Sequence, residues 1–182
     1  MAAPWPNVKE ISPVMISTVS RLSLGRQIAA WDAIAPASGA LGLSNNAFYF
    51  SFSIPAPITV AKMFIYNGAT VAGTIDMGIY TDDYTRIVSS GAITQAGVSA
   101  LQEFDVTDTW LDKGRYYFAF AQSLNTATFF QTAQVGNTEN KLFGVMMQSA
   151  ANPLPAVATP VALTSSIWGI PILGLSTRTL VV

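Results

Sequence analysis

The chain of 182 residues contains no histidine and no cysteine. Without imidazole it cannot build a Ser-His-Asp triad or a histidine base poised near neutral pH, and without thiol it cannot build a Cys-His dyad. Thiolate and imidazole are also the ligands that zinc sites draw on, so a zinc centre is excluded as well. Disulfide stapling is ruled out as a source of stability. Charge is scarce: Asp, Glu, Lys and Arg make up 10% of the residues and the formal net charge is −1, against roughly 25% charged residues in an ordinary soluble domain. The basic residues are scattered, which gives no electrostatic basis for gripping nucleic acid. Long apolar runs are missing too. The best, Ile167 to Leu175, is interrupted by Pro171, whereas a membrane-spanning helix needs about 18 or more consecutive apolar residues. The opening MAAPWPNVKEISP has no basic start followed by an apolar stretch, so no secretory signal peptide is expected. Gly39 and Gly42 are not followed by a lysine in a phosphate-loop pattern.

What is abundant is apolar surface, at 51% of residues. The length fits one domain better than two, each of which would have a small core. A lone subunit with so few charges has little to cover its exterior with, and once the membrane is set aside a fibre or a large surface buried against other subunits is the expectation.

The chain divides at about residue 46. Residues 1–46 read as an extended N-terminal arm: Pro4, Pro6 and Pro13 break an early helix, and Ser, Ala and Gly dominate Ala35 to Asn46. The arm is too apolar to lie freely in water, and Trp5, Val8, Ile11, Val14, Ile16, Leu22, Leu24 and Trp31 are its candidate partner-binding residues. Ile28, Trp31 and Ala35 have helical spacing, which leaves a short helix over Gly25 to Ile34, or a strand or packed loop, as alternatives.

Residues 47–182 read as a β-sandwich domain. From Phe48 the period is two: Phe48, Phe50, Phe52 and Ile54 fall on one side of a half-buried strand, with Tyr49, Ser51 and Ser53 on the other. Ala61, Met63 and Ile65 continue the pattern, and Asn67-Gly68 reads as a turn. Ile75, Met77 and Ile79 oppose Asp76 and Tyr80, with a turn at Asp82-Asp83 and a return through Ile87, Val88 and Ile93. Gln102, Phe104 and Val106 mark a further strand. The Leu111–Gly114 turn then leads into RYYFAFAQ, where Tyr116, Phe118 and Phe120 oppose Tyr117, Ala119 and Ala121. Strands over Thr126 to Ala133 and Lys141 to Ser149, a proline-bearing loop or crossing over Ala150 to Pro160, and a last strand within Val161 to Leu173 complete the expectation. About eight short strands with turns every eight to twelve residues predict an all-β antiparallel sandwich, of jelly-roll type.

The stretch Phe48 to Gln122 resembles a β-sandwich module of tailed-bacteriophage virion proteins. The resemblance is carried by the aromatic strand ending in Ile54-Pro55 and the strand Val60 to Ile65. AGTIDMGIY followed by Asp82-Asp83, and Leu111 to Phe120 with its Lys113-Gly114 turn, complete it. It implies a virion location and a structural job: a capsid decoration (cement) subunit, often a homotrimer, that bridges neighbouring shell proteins, the major capsid protein among them. A tail, baseplate or fibre component with a glycan-binding, receptor-recognising role is the alternative. Neither implies enzymatic activity, a cofactor, nucleic acid or a membrane.

Three constellations bear on chemistry. Asp82-Asp83 offers adjacent carboxylates for calcium, but a hard cation wants six to eight oxygens and Asp also favours turns through its own backbone. Glu103, Asp105, Asp108 and Asp112 cluster in sequence, and Glu103 and Asp105 share a strand face about 7 Å apart, within the range of a glycosidase pair; ordinary alternation reads them as the solvated side of a strand. Tyr49, Tyr80, Tyr84, Tyr117 and Trp110 are the candidates for an exposed sugar-stacking platform, with core or subunit contact as the competing reading.

Overall fold

The computed structural model describes residues 16–17, 37–54, 56–131, 144–163 and 169–176. Among these there is no helix, and thirteen strands run in antiparallel pairs. They are β1 (Ile16–Ser17), β2 (Ala37–Ala40), β3 (Asn46–Ile54), β4 (Ile58–Tyr66), β5 (Thr74–Tyr80), β6 (Arg86–Ser89) and β7 (Ile93–Thr94). After these come β8 (Leu101–Leu111), β9 (Gly114–Gln122), β10 (Thr128–Gln131), β11 (Met146–Gln148), β12 (Val161–Ala162) and β13 (Leu173–Ser176).

A seven-stranded sheet has the order β12-β11-β3-β9-β5-β6 with β7 also on β5, a four-stranded sheet has the order β1-β13-β4-β8, and β10 pairs with β2 in a small third sheet. The chain is an all-β antiparallel sandwich. Its main core lies between the two larger sheets. Phe48, Phe50, Phe52 and Ile54 of β3, Ile75, Met77 and Ile79 of β5, and Phe118 and Phe120 of β9 face Val60, Met63 and Ile65 of β4, Phe104 and Leu111 of β8, and Leu173 and Leu175 of β13. The register sets aromatic pairs side by side, Phe48 against Phe120, Phe50 against Phe118 and Phe52 against Tyr116, the kind of cross-strand contact that stabilises a sheet. Phe129 of β10 closes one end of this core edge-on to Phe120, 5.0 Å between ring centroids.

The face of β4 differs from the expectation in one detail. The β4–β8 pairing slips between Val60 and Lys62, because Val106, Thr107 and Asp108 of β8 stand opposite Ala61 alone. At this register shift the alternation of β4 breaks, so Val60 and not Ala61 enters the core with Met63 and Ile65.

Asn67-Gly68 does not make a tight hairpin turn. β4 pairs with β8, and residue 67 leads into a connection to the other sheet. The Asn67 side chain is fully buried and donates to the Ala96 carbonyl and to Gln102 Oε1, while its Oδ1 accepts from Gln95 Nε2. These buried amides tie the loops at one end of the sandwich together, each satisfying the others.

The outer face of the seven-stranded sheet, the other side of the half-buried strands read from the sequence, is not open to water. It is covered by residues 149–160, which leave β11, cross the sheet, run beside β6 and return to β12. Along this strap the amide of Ala151 donates to the Asn45 carbonyl at 2.9 Å and that of Leu154 to Asp76 Oδ2 at 2.9 Å. The Tyr80 hydroxyl donates to the Pro155 carbonyl at 2.6 Å, and the Arg86 amide to the Ala156 carbonyl at 2.8 Å. Beneath it Ala47, Tyr49, Tyr80, Tyr117, Ala119, Ala121, Ala151, Leu154 and Ala158 form a second, smaller core. Gly78 is needed here, because a Cβ at this position would meet Leu154 Cδ1 and the Val88 carbonyl oxygen, each at 3.0 Å.

Of the arm expected over residues 1–46, Trp5, Val8, Ile11, Val14, Leu22, Leu24 and Trp31, and the helix candidate Gly25 to Ile34, lie outside the described residues. The described part joins the sheets. Ile16 and Ser17 pair with Leu175 and Gly174 of β13, residues 37–40 form β2, Leu41 is fully buried in the main core, and Asn46 already belongs to β3.

Candidate functional site

The hairpin between β5 and β6 carries the first polar constellation. Its loop is Asp82, Asp83 and Tyr84, closed by Thr81 N–H donating to the Thr85 carbonyl at 2.9 Å and Tyr84 N–H donating to the Thr81 carbonyl at 3.1 Å. Asp83 serves this turn: its Oδ1 accepts the Thr81 hydroxyl, and that hydrogen bond holds the Asp83 carboxyl below its ordinary pKa. Asp82 points instead to Arg115, with 3.3 Å between its Oδ1 and the guanidinium Nε. The two carboxylates are therefore engaged separately, by turn and by cation. Among the described residues no three acidic side chains gather as a metal-binding group.

Tyr84 sits at φ 64°, a left-handed conformation that a three-residue hairpin loop usually gives to glycine and that costs an L-residue roughly 1–2 kcal/mol. The ring is placed 4.7 Å from that of Tyr117 and its hydroxyl lies 3.2 Å from the Tyr117 hydroxyl and 3.1 Å from Met146 Sδ. Burial, and then the bond to Tyr117, push the Tyr84 phenol up to about 12. Arg115 donates to the Tyr117 hydroxyl at 2.9 Å and its Cζ lies 5.5 Å from the centroid of that ring. The strain at Tyr84 is thus offset by ring packing onto Tyr117.

The carboxylates of β8 separate in the same way. Asp105 is the cross-strand partner of Lys62 and accepts a hydrogen bond from its ammonium, which raises the lysine's pKa. Glu103 stands opposite Phe64. Lys62 beside Asp105 makes this an ion-paired strand face.

Of the five proposed platform aromatics, three are buried. Tyr49 and Tyr80 are wholly enclosed and Tyr117 nearly so, all beneath the strap. Their hydroxyls are spent on internal partners, Tyr49 donating to Gln148 Oε1 at 3.2 Å and Tyr80 to the strap. Burial pushes the Tyr80 phenol up to about 12 and that of Tyr49 further. Tyr84 is half-buried. Trp110 alone is freely exposed, at 62%. Its indole N–H donates to Asp112 Oδ1 at 3.0 Å, and Tyr116, packed on Phe52, donates its hydroxyl to the Asp112 carbonyl at 3.0 Å.

Two residues with defined roles were not singled out from the sequence. Arg115 joins Asp82 to the tyrosine cluster, and its place on β9 next to Tyr117 carried no local signal. Asp76 is fully buried under the strap, where its carboxylate accepts from Leu154 N–H and Ser90 Oγ. Its outward position on β5 was legible, the cover over it was not. No family model, curated protein or solved structure matches the chain.

Proposed function

We propose that this chain is a structural, non-enzymatic subunit of a tailed-phage particle, a capsid decoration protein with a jelly-roll-related sandwich that assembles as a homotrimer and bridges neighbouring shell subunits. The observation that carries this reading is a mismatch between surface and charge. The described body closes its own core between the sheets and closes the outer face of its large sheet with its own strap. Around the short β1 pairing at Ile16 the sequence places Trp5, Val8, Ile11 and Val14 before it and Leu22, Leu24 and Trp31 after it, in a chain with only 10% charged residues. Burying several such side chains at about 1.5–3 kcal/mol each gives a strong contact even after the cost of ordering the arm. Binding that favours the assembled shell over its parts stabilises it by mass action.

The test combines the mass of the isolated protein in solution with binding to purified empty heads, for the full chain and for a variant lacking residues 1–20. The full chain is expected to be trimeric and to bind saturably. The truncated chain loses only the short β1 pairing with β13 from the described sheets, so it is expected to melt within a few degrees of the full chain and to bind heads at least tenfold more weakly. A monomer that ignores heads, or a truncated chain that binds them as tightly as the full one, overturns the reading.

A further inference from the structure

We infer that Trp110 and Asp112 form a saccharide-binding platform on the outer face of the four-stranded sheet, a site separate from the assembly contact and from the strap.

The first observation is the exposure of Trp110, at 62%, in a molecule that encloses most of its other described aromatics. A tryptophan in water normally keeps its N–H for solvent or a partner; here the N–H is already bonded to Asp112 Oδ1 at 3.0 Å. What the side chain leaves to offer is a flat apolar face in a fixed orientation. The second observation is how that orientation is held. Asp112 is itself positioned through its backbone by the Tyr116 hydroxyl at 3.0 Å, and Tyr116 rests on Phe52 of the core. Trp110 also follows directly on the β8 irregularity, where Val106 to Asp108 stand opposite Ala61 alone. Such bulges re-aim the residues beside them and collect next to binding sites.

The third observation selects the ligand. Polar groups adjoin the indole: Thr59 is the cross-strand partner of Trp110, and Asp112 and Lys113 form the exposed turn. Asp112 Oδ1 holds the indole, leaving the second oxygen of this exposed carboxylate as an acceptor. A protein hot spot usually lies in a well-packed patch whose rim excludes water, and among the described residues none of the other exposed large hydrophobics, Ile87, Val98, Leu124, Val157 or Val161, belongs to this turn or to β4. A pyranose matches what is present. Its C–H face stacks on an aromatic ring, and its rim hydroxyls donate to a carboxylate and exchange hydrogen bonds with threonine hydroxyls. Asp112 and Lys113 balance at the turn and Asp108, two residues before Trp110, adds an exposed carboxylate, so the surroundings disfavour an anionic sugar and point to a neutral unit.

The experiment is titration of the full chain with neutral oligosaccharides built from glucose, galactose or N-acetylglucosamine, read by calorimetry and by ligand-observed NMR. Variants are Trp110→Ala, Trp110→Phe, Asp112→Ala and, as a control on the other sheet, Arg115→Ala. A single stacking platform is expected to bind in the high-micromolar to millimolar range. Trp110→Ala is expected to weaken binding about tenfold or more and Trp110→Phe less, since alanine removes the stacking face and phenylalanine keeps part of it. Asp112→Ala weakens binding by severalfold and Arg115→Ala leaves it unchanged. Circular dichroism and melting curves establish that each variant is folded. The inference is overturned by a wild-type chain that binds none of these sugars up to 10 millimolar, by a folded Trp110→Ala that binds as well as wild type, or by loss of head binding in Trp110→Ala without any sugar binding in wild type, which marks the indole as a protein contact. The outcome is separate from that of the arm truncation, which leaves this site intact.

Discussion

The two faces of the seven-stranded sheet are both buried but are built differently. The inner face presents Phe48, Phe50, Phe52, Phe118, Phe120, Ile75, Met77 and Ile79 to a second sheet, and the space between sheets is filled by large side chains. The outer face presents Ala47, Ala119, Ala121 and Gly78, interrupted by Tyr49, Tyr80 and Tyr117, and its cover is a strap of irregular chain. A second sheet satisfies its own backbone, so it can lie on a purely apolar surface. A strap brings unpaired amides and carbonyls with it and must be met by polar partners. That is why small residues, which let the backbone approach, alternate here with tyrosine hydroxyls and one buried carboxylate. Apolar volume holds one face and hydrogen-bond matching holds the other.

The contrast can be broken most severely from the inner side. Phe120→Ala removes a fully buried ring in edge contact with Phe129, and urea unfolding is expected to show a loss of about 4 kcal/mol. On the outer side, Leu154→Ala is expected to cost about 2 kcal/mol, because the strap is better able to settle into the gap than a sheet is. Limited proteolysis should then cut within residues 149–160 while circular dichroism remains that of a folded sandwich; cleavage spread evenly over the chain would mean the strap and the sandwich open together.

Asp76 sharpens the comparison through pH. Burial raises its pKa above the ordinary 3.8, and the bonds from Leu154 and Ser90 and the nearby Arg86 charge offset this only in part. The folded protein holds this proton more tightly than the unfolded chain does. The contribution of Asp76 to stability is therefore present in acid and is lost as pH rises from about 3.8 through the raised folded value. Asp76→Asn keeps an oxygen for the Leu154 amide without the charge. It is expected to be at least as stable as wild type at pH 7, with the advantage shrinking as pH falls toward 3.8. Melting temperatures across that range check it, and a variant much less stable than wild type at pH 7 would show that the ionised carboxylate is required. The smallest effect is expected at the strap's edge. Tyr84→Gly relieves the positive φ while losing the ring contact with Tyr117, and the two are expected to cancel to within about 1 kcal/mol in unfolding free energy.

Local residues carried much of this organisation. Alternation assigned the inner faces of β3, β5 and β9 correctly, since in a strand the side-chain period is two whatever packs against it. The turn at Leu111 to Gly114 and the turn at Asp82-Asp83 followed from short polar residues flanked by apolar strands. The candidate site was legible only in outline: Trp110 stood among five aromatics with nothing to separate it from Tyr49, Tyr80 or Tyr117. Val60 was missed in favour of Ala61 because the break in the alternation of β4 falls at an irregularity in its pairing with β8, some forty residues away in sequence.

The sequence by itself determined which side chains share a face in β3, β5 and β9 and which chemistries are closed to a chain without histidine or cysteine. Only the tertiary structure decided what covers each face. The period of a strand reports relative orientation and says nothing about the partner above it, and the partner here is a proline-bearing strap that returns from about seventy residues downstream of β5 to bury three tyrosines and Asp76. By the same reason Trp110, the one described aromatic left mostly in water, could be identified only after the others had been enclosed.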